Sequence, residues 1–164
     1  CRRLVAKALH EEDSMKPAGV IGPDGYKQSP LRTSAQCVCP QAEVPSLVAK
    51  VVDLLKCSPR QLEAFQLIRY QEGQFFKLHG DFSSNGKRSS AGFIDSSRLA
   101  TLFIYLNSVE RGGETEFPNA SPPLTISPKE GMAVLHFPAQ LDGSSDAKRT
   151  RHQSLPAVDE KWIM

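Results

Sequence analysis

The sequence has no excess of charge of either sign. Its 164 residues include 20 basic and 18 acidic side chains, which leaves a formal net charge of only +2. A nearly neutral chain gives no electrostatic case for nucleic acid or a membrane as the main partner. We therefore interpret the short basic cluster Lys148-Arg149-Thr150-Arg151 as a solvated loop, and we expect no nucleic-acid partner.

Long apolar runs are absent as well. No segment approaches the roughly 20 apolar residues that a helix needs to span a bilayer, so no membrane contact is expected within this chain. The first residues, "CRRLVAKALHEED", predict a short amphipathic helix rather than a signal peptide. Because the sequence begins inside that pattern and stops three residues after Lys161, we expect a chain that is trimmed at both ends. A cytoplasmic location is favoured over the endoplasmic reticulum lumen, since the sequence shows neither a secretion signal nor a disulfide array.

Cysteine is scarce, with only Cys1, Cys37, Cys39 and Cys57. Cys37 and Cys39 have neither a CxxC partner nor a following histidine pair, which excludes the common zinc motifs. Four cysteines in a chain of this length are also too few for a disulfide scaffold. We predict free, partly buried thiols in preference to a disulfide of the Cys37–Cys57 type.

The predicted helices precede the predicted strands. "RRLVAKAL" and "PSLVAKVVDLLKC" repeat apolar residues on one helical face, and a Pro-, Gly- and Ser-rich connection without periodicity separates them. From residue 62, short apolar segments alternate with Gly and Pro: "LEAFQLIRYQEG", "FFKLHGDF", "RLATLFIYLN", "GGETEF", "LTI", "GMAVLHF" and "KWIM". We predict a single domain over residues 1–164, with a helical lead-in (1–60) and a strand-rich core (61–164). This order favours a helix-buttressed sandwich or jelly roll and excludes a Rossmann-type alternation.

The stretch "RYQEGQFFKLHGDF" contains a histidine and an aspartate two positions apart, His79 and Asp81. Residues two apart at the end of a strand point to the same side, so both side chains can reach one point. A metal site needs a further ligand, and the other histidines are His10, His136 and His152. His10 has charged neighbours in the first helix, which indicates a surface residue. The pattern leaves His136 and His152 open as candidates.

Two histidines and one carboxylate suit Fe(II), with open coordination positions for a bidentate 2-oxo acid and dioxygen. A 2-oxo acid with a distal carboxylate also needs a basic anchor. Lys161 precedes the apolar pair Trp162 and Ile163, and a lysine in an apolar strand needs a buried anionic partner. The competing interpretation of His79 and Asp81 is structural, as a turn histidine and a capping aspartate.

Four blocks of the chain carry a family resemblance. "LIRYQEGQFFKLHGDF", "RLATLFIYLNSVERGGETEFP", "ISPKEGMAVLHF" and "DGSSDAKRTRHQSLPAVDEKW" follow one another between residues 62 and 164. Together they resemble the prolyl 4-hydroxylase family of Fe(II)/2-oxoglutarate-dependent dioxygenases. The resemblance implies an α+β fold in which N-terminal helices buttress a double-stranded β-helix (jelly roll). It also implies peptidyl-proline 4-hydroxylation of a protein substrate, coupled to oxidative decarboxylation of 2-oxoglutarate to succinate and CO2.

The resemblance also implies cofactors and the residues that hold them. Fe(II), 2-oxoglutarate and O2 are the implied cofactors, with ascorbate as a candidate reductant. Iron binding is assigned to His79, Asp81 and His152, and the far carboxylate of 2-oxoglutarate to Lys161. The step of nine residues from His152 to Lys161 is one shorter than the step often found in the family.

Two further positions of this chain match residues of the family by residue type. Tyr70 matches a tyrosine that lines the cosubstrate pocket, and Thr101 matches a residue whose hydroxyl helps the lysine to hold the carboxylate. Their structural alternatives are a core tyrosine and a β-branched strand residue. Gly112 and Gly113 are predicted to serve the backbone geometry of a turn.

The substrate is predicted to be a proline-containing peptide or protein. We hypothesise that the polar segment 83–97 acts with residues 32–34 as a peptide clamp. The predicted substrate contacts are Arg32, Ser34, Phe76 and Arg98, and Phe76 stands where many family members have tyrosine. Two alternatives stay open: a 2-oxoglutarate oxygenase that acts on another side chain or a small molecule, and a catalytically silent peptide-binding module.

Overall fold

The two amphipathic segments form helices α1 (Arg2–His10) and α2 (Pro45–Leu55) in a computed structural model of the chain. The structure describes residues 1–10, 14–22, 25–81, 98–139 and 148–164. Pro45 lies in the first turn of α2, where its missing N–H costs no helical hydrogen bond. Lys56 ends the helix in a left-handed conformation. Both predicted helices are confirmed.

Eight strands follow α2 in the described residues. They are β5 (Phe65–Tyr70), β6 (Phe76–His79), β7 (Thr101–Ile104), β8 (Thr115–Phe117), β9 (Leu124–Ile126), β10 (Ala133–His136), β11 (His152–Ser154) and β12 (Lys161–Ile163). Seven of them lie in the predicted segments. β11 was not predicted, because its three residues are polar and only their pairing with two neighbouring strands reveals a strand.

The lead-in at residues 1–60 is only partly helical, which corrects the prediction. The connection between the helices contains β1 (Lys16–Pro17), β2 (Gly19–Gly22), β3 (Gly25–Gln28) and β4 (Ala35–Cys39). β2 pairs with β3, whereas β4 pairs along its whole length with β5. Strands this short carry too few residues for a periodic signal, and tertiary pairing decides their conformation. Two 3-10 helices, Gln41–Glu43 and Pro59–Gln61, flank α2.

The antiparallel strands form two layers. The larger sheet has the order β1-β4-β5-β12, and β7 continues it because Ile104 and Met164 exchange backbone hydrogen bonds of 2.8 and 2.9 Å. β10 then pairs with β7. The second sheet has the order β6-β11-β8-β9. The ring of His136 on β10 contacts that of His152 on β11, so the two sheets face each other. The predicted α+β class with a jelly-roll core is confirmed.

The main apolar cluster lies between the helices and the larger sheet. Its buried members are Ala8, Cys39, Val44, Leu67, Leu106, Trp162 and Met164. Successive residues of a strand point to opposite faces, so Trp162 packs into this cluster while Lys161 points into the space between the sheets. Tyr70 is the direct partner of Lys161 on β5 and shares that inner face.

The cysteines are as the sequence predicts. All four cysteines are free, and Cys39 is buried, which confirms the predicted thiols. None of the helices in the described ranges is both long and apolar enough to cross a membrane.

Candidate active site

The pairing of β6 with β11 assembles the predicted metal triad. His79 at the end of β6 is the direct cross-strand partner of His152 at the start of β11, and their ring centroids lie 4.3 Å apart. Asp81 follows two residues after His79 and turns its carboxylate toward both rings. The ligand atoms of His79, Asp81 and His152 all lie within 4.8 Å of one another. In the part of the chain that the structure describes, no other group of His, Cys, Asp or Glu side chains meets in this way.

Backbone carbonyls orient both imidazoles. Nδ1 of His79 lies 2.8 Å from the carbonyl oxygen of Lys77, and Nδ1 of His152 lies 3.1 Å from that of Thr150. Each Nδ1–H therefore donates to the backbone, which leaves the Nε2 lone pair directed at the triad. The two Nε2 atoms lie 3.8 Å and 3.9 Å from oxygens of Asp81.

The triad also has the protonation state that a metal requires. Burial, together with the neighbouring His152, lowers the pKa of His79 to about 4, and burial lowers the pKa of His152. Burial alone would raise the pKa of Asp81. The neighbours His136, His152, His79 and Arg98 outweigh that effect and hold the pKa of Asp81 well below its usual range. At neutral pH the site thus offers two neutral imidazoles and a carboxylate.

Aromatic rings wall the triad. Phe76 stacks on His79 with a centroid separation of 3.5 Å, and Phe117 stacks on His152 at 5.1 Å. Hard carboxylate oxygen and borderline imidazole nitrogen are the donors that suit Fe(II), and the set has no thiolate to favour zinc. The residues present therefore fit a divalent metal of this kind.

The predicted basic anchor is buried on the inner face of β12. Lys161 is 1 % exposed, and its Nζ donates to the carbonyl oxygen of Gly113 at 2.7 Å and to the hydroxyl of Ser154. The ammonium also lies 4.3 Å from the ring centroid of Tyr70. Burial lowers the pKa of Lys161 to about 7, which Glu114 only partly opposes. A buried ammonium held by uncharged oxygens fits an anionic ligand.

The two residues predicted to contact the cosubstrate, Tyr70 and Thr101, lie on different strands, β5 and β7. Tyr70 is 2 % exposed and contacts Lys161, as expected of a residue that lines this pocket. Burial raises the pKa of Tyr70, so its hydroxyl stays protonated. Thr101 is the direct partner of His136, whereas Tyr105 further along the chain bridges to Ile163 beside Lys161. The hydroxyl of Thr101 is buried and has no hydrogen-bond partner among the described residues. Its assignment as a partner of Lys161 in holding the carboxylate stays a prediction.

Two residues near Lys161, Ser154 and Tyr105, were not predicted as site residues from the sequence. Ser154 accepts a hydrogen bond from Lys161 and pairs with Thr115, whose hydroxyl accepts from the buried Tyr105 hydroxyl at 2.7 Å. The period-two pattern could have found Ser154, since it lies two residues after His152 and so on the same face. Gly112 and Gly113 adopt positive φ angles of 70° and 71°, which confirms their backbone role.

The predicted substrate residues lie close to the triad, but not all face outward. The guanidinium of Arg32 lies 4.8 Å from the ring centroid of Phe76, which itself covers His79. Ser34 is 1 % exposed, and its hydroxyl accepts a hydrogen bond from Nε of Arg32. Its contact with a substrate stays a prediction. Arg98 lies 3.6 Å from Asp81 and binds Glu63 through two nitrogens. The predicted clamp at residues 83–97 lies outside the described residues.

His136, left open by the sequence as a candidate ligand, enters the site from the opposite sheet. Its Nε2 lies 3.3 Å from Oδ2 of Asp81, and its ring contacts those of His152 and Phe117. It is not a member of the group of three mutually close ligand atoms.

With this geometry in place, comparison with known proteins identifies the family. A family model described as the 2OG-Fe(II) oxygenase superfamily matches residues 65–164. The chain belongs to this superfamily. Membership implies Fe(II), 2-oxoglutarate and O2 as cofactors. The matched residues include the whole triad and Lys161.

Relatives of this oxygenase confirm the predicted resemblance to prolyl 4-hydroxylases. "Probable prolyl 4-hydroxylase 6" of Arabidopsis thaliana is 29% identical over 99% of this chain and 62% of its own length. "Prolyl 4-hydroxylase 2" of the same plant is 28% identical over 99% of this chain and 60% of its own. The chain thus spans about three fifths of the length of these curated relatives.

Solved structures support the fold of the oxygenase. The viral collagen prolyl hydroxylase of Paramecium Bursaria Chlorella virus-1, solved as a 2OG complex, is 26% identical with a TM-score of 0.72. That alignment covers 99% of this chain and 85% of the viral one. A Pseudomonas putida prolyl-4-hydroxylase, 18% identical, superposes with a TM-score of 0.68 over 99% and 81% of the two chains.

Proposed function

We propose that this oxygenase hydroxylates proline at its 4-position in a peptide or protein substrate. One observation carries the proposal: the three side chains suited to bind a metal and the buried ammonium of Lys161 both face the space between the two sheets. When bound at the triad, Fe(II) with O2 would supply the oxidising chemistry that decarboxylates 2-oxoglutarate to succinate and CO2 and hydroxylates the substrate. Ascorbate is the proposed reductant, and the cytoplasm is the proposed compartment.

The residues of the chain position the cosubstrate. His152 and Ser154 are two residues apart on β11, a rise of about 7 Å. Ser154 and the Gly113 carbonyl hold the Lys161 ammonium at the far end of that interval. An extended five-carbon dicarboxylic acid spans such a distance, so Lys161 would bind the far carboxylate while the 2-oxo acid group reaches the triad. The buried Tyr70 excludes water beside the ammonium.

The peptide is proposed to lie over the layered rings of Phe76 and His79. Arg32 covers the outer face of Phe76, and a surface groove of about 330 Å³ begins beside it. The groove is lined by Pro17, Ala18, Gln28, Ser29, Pro30, Arg32, Thr33 and Ser34. Arg98 lies on the other side of the triad, next to Asp81. Segment 83–97 remains the proposed second half of the clamp.

The test is the release of succinate from 2-oxoglutarate with Fe(II), measured with and without a proline-containing peptide and followed by mass spectrometry of the peptide. We expect peptide-stimulated succinate release and a 16-Da gain on proline. Stimulation by other acceptors but not by proline peptides would favour an oxygenase of a different specificity. Peptide binding without any succinate would favour a silent binding module.

The variants His79→Ala and Asp81→Ala test the site assignment in the same assay. Each removes one triad ligand, so we expect coupled turnover to disappear. His10→Ala is the matched control, because His10 is an exposed histidine at the end of α1. Turnover by either triad variant at the rate of the His10 control would refute the assignment.

A further inference from the structure

The imidazole of His136 is buried without satisfying its nitrogens. The residue is 9 % exposed, and neither ring nitrogen has a hydrogen-bond partner among the described residues. A neutral imidazole carries one donor and one acceptor, and leaving both unpaired in the interior is unfavourable. A core position that only needed volume would be filled better by an apolar ring. The burial of this imidazole therefore indicates that it makes a polar interaction within the site.

The geometry directs His136 at one atom of the triad. Its Nε2 lies 3.3 Å from Oδ2 of Asp81, closer than the Nε2 atoms of His79 and His152, which lie 3.8 Å and 3.9 Å from that carboxylate. A small rotation of either side chain turns this approach into a hydrogen bond. The ring is braced by the edge of Phe117 at a centroid distance of 5.3 Å.

His136 also lies on a different sheet from the two histidine ligands. It ends β10 and is held there by its pairing with Thr101 on β7, so it approaches from the sheet opposite β6 and β11. The mutually close ligand atoms are those of the other two histidines and Asp81. Those two histidines each have a backbone carbonyl as an outer partner, at Lys77 and Thr150. His136 is placed to be the corresponding outer partner of the carboxylate.

We propose that His136 is a positioning residue of the metal centre. Its Nε2–H donates to Oδ2 of Asp81 and holds the carboxylate in the orientation that binds the divalent metal. This inference rests on the metal site proposed above. Loss of an outer hydrogen bond of this kind weakens metal binding by about 10–100-fold.

The experiment compares two replacements of nearly equal size. His136→Gln keeps an N–H donor and His136→Met removes it, and each variant is titrated with Co(II) as the metal-free whole chain. We expect His136→Met to bind Co(II) about 10–100-fold more weakly than the unaltered chain. We expect His136→Gln to restore most of that affinity and to keep the visible Co(II) absorption spectrum. Thermal unfolding of the metal-free proteins checks that both variants fold, and a cooperative transition in each makes their Co(II) affinities comparable.

The outcomes separate this inference from the metal site itself. Equal Co(II) affinity of His136→Met and the unaltered chain would overturn the positioning role and leave the metal site standing. A Gln variant as weak as the Met variant would exclude a donor role, and an altered Co(II) spectrum in the Gln variant would show direct ligation instead. If the unaltered chain itself fails to bind Co(II), both the site and the role of His136 are overturned.

Discussion

At the residue scale, Lys161 combines almost complete burial with hydrogen-bond acceptors that carry no charge. Its ammonium is held by the Gly113 carbonyl and the Ser154 hydroxyl, and the nearest aromatic face is that of Tyr70. Such an arrangement is unfavourable in the ligand-free protein, because desolvation of the charge is not offset by a counterion. A bound dicarboxylate would supply the counterion.

Replacing Lys161 by methionine should therefore separate binding from stability. Lys161→Met keeps the length of the side chain but loses the charge, so we expect the Kd for 2-oxoglutarate to rise about 100-fold or more. The ligand-free protein should be as stable as before or more stable. Calorimetric titration of the Mn(II)-loaded protein and urea unfolding measure the two effects. Unchanged 2-oxoglutarate affinity would contradict the assignment of Lys161.

The lowered pKa of Lys161 also predicts a pH dependence of cosubstrate binding. Because this pKa is about 7 in the free protein, the side chain is already charged below pH 7 and affinity is on a plateau there. Above pH 7, binding of the carboxylate must take up a proton, so the Kd should rise toward tenfold per pH unit. Titrations between pH 6 and about 9 measure this slope. Lys161→Met should show no such slope, and a flat profile in the unaltered chain would contradict the prediction.

At the element scale, the turn that leads into β8 holds the anchor site by backbone geometry. Gly112 has φ +70°, and a Cβ there would lie 2.6 Å from the carbonyl oxygen of Pro156. Gly113 beside it supplies the carbonyl that holds Lys161. Backbone contacts thus fix the turn to the residues before β12, and the side chain of Lys161 ties it to β12 itself.

Replacing Gly112 by alanine should lower the free energy of unfolding more than the same replacement at Gly73, whose φ angle is similar. Gly73 has φ +76° and nothing within 4 Å of an added Cβ, so Gly73→Ala should lower the free energy of unfolding by about 1 kcal/mol. Gly112→Ala adds the contact with Pro156 and should cost about 2–4 kcal/mol and weaken 2-oxoglutarate binding. Urea unfolding of both variants checks this, and equal losses would show that the close contact relaxes freely.

At the scale of the whole molecule, the two faces of the larger sheet have different roles. Its outer face packs on the helices around Trp162, and its inner face carries Lys161 and Tyr70 toward the triad on the second sheet. Ligands bound between the sheets therefore tie the two layers together. A ligand that binds only the folded state stabilises it in proportion to the logarithm of its concentration.

Metal and cosubstrate should accordingly raise the melting temperature of the whole chain. With Mn(II) and 2-oxoglutarate each near 100 times their Kd, each ligand should raise the melting temperature by about 5–10 °C. His79→Ala should abolish the shift with Mn(II), whereas His10→Ala should keep it. A shift that persists in His79→Ala would place the metal elsewhere in the chain.

The parts of the fold and site that the sequence predicted are those carried by local patterns. Two-residue spacing identified His79 and Asp81, and an apolar context identified Lys161. The third ligand followed only from the family resemblance, because the pairing of His79 with His152 joins residues far apart in the chain. Strands β1–β4 and β11 were not predicted, because strand pairing rather than a periodic pattern decides the conformation of such short segments.

Trp162, the single tryptophan of the chain, gives the protein an internal optical reporter. The indole is 1 % exposed and donates from its Nε1 to Glu160, so its emission should shift to longer wavelength when β12 leaves the core. It is adjacent to Lys161 in sequence but lies on the other face of the strand. Its fluorescence should therefore change when the sheet unfolds and should hardly change when 2-oxoglutarate binds in the cosubstrate pocket.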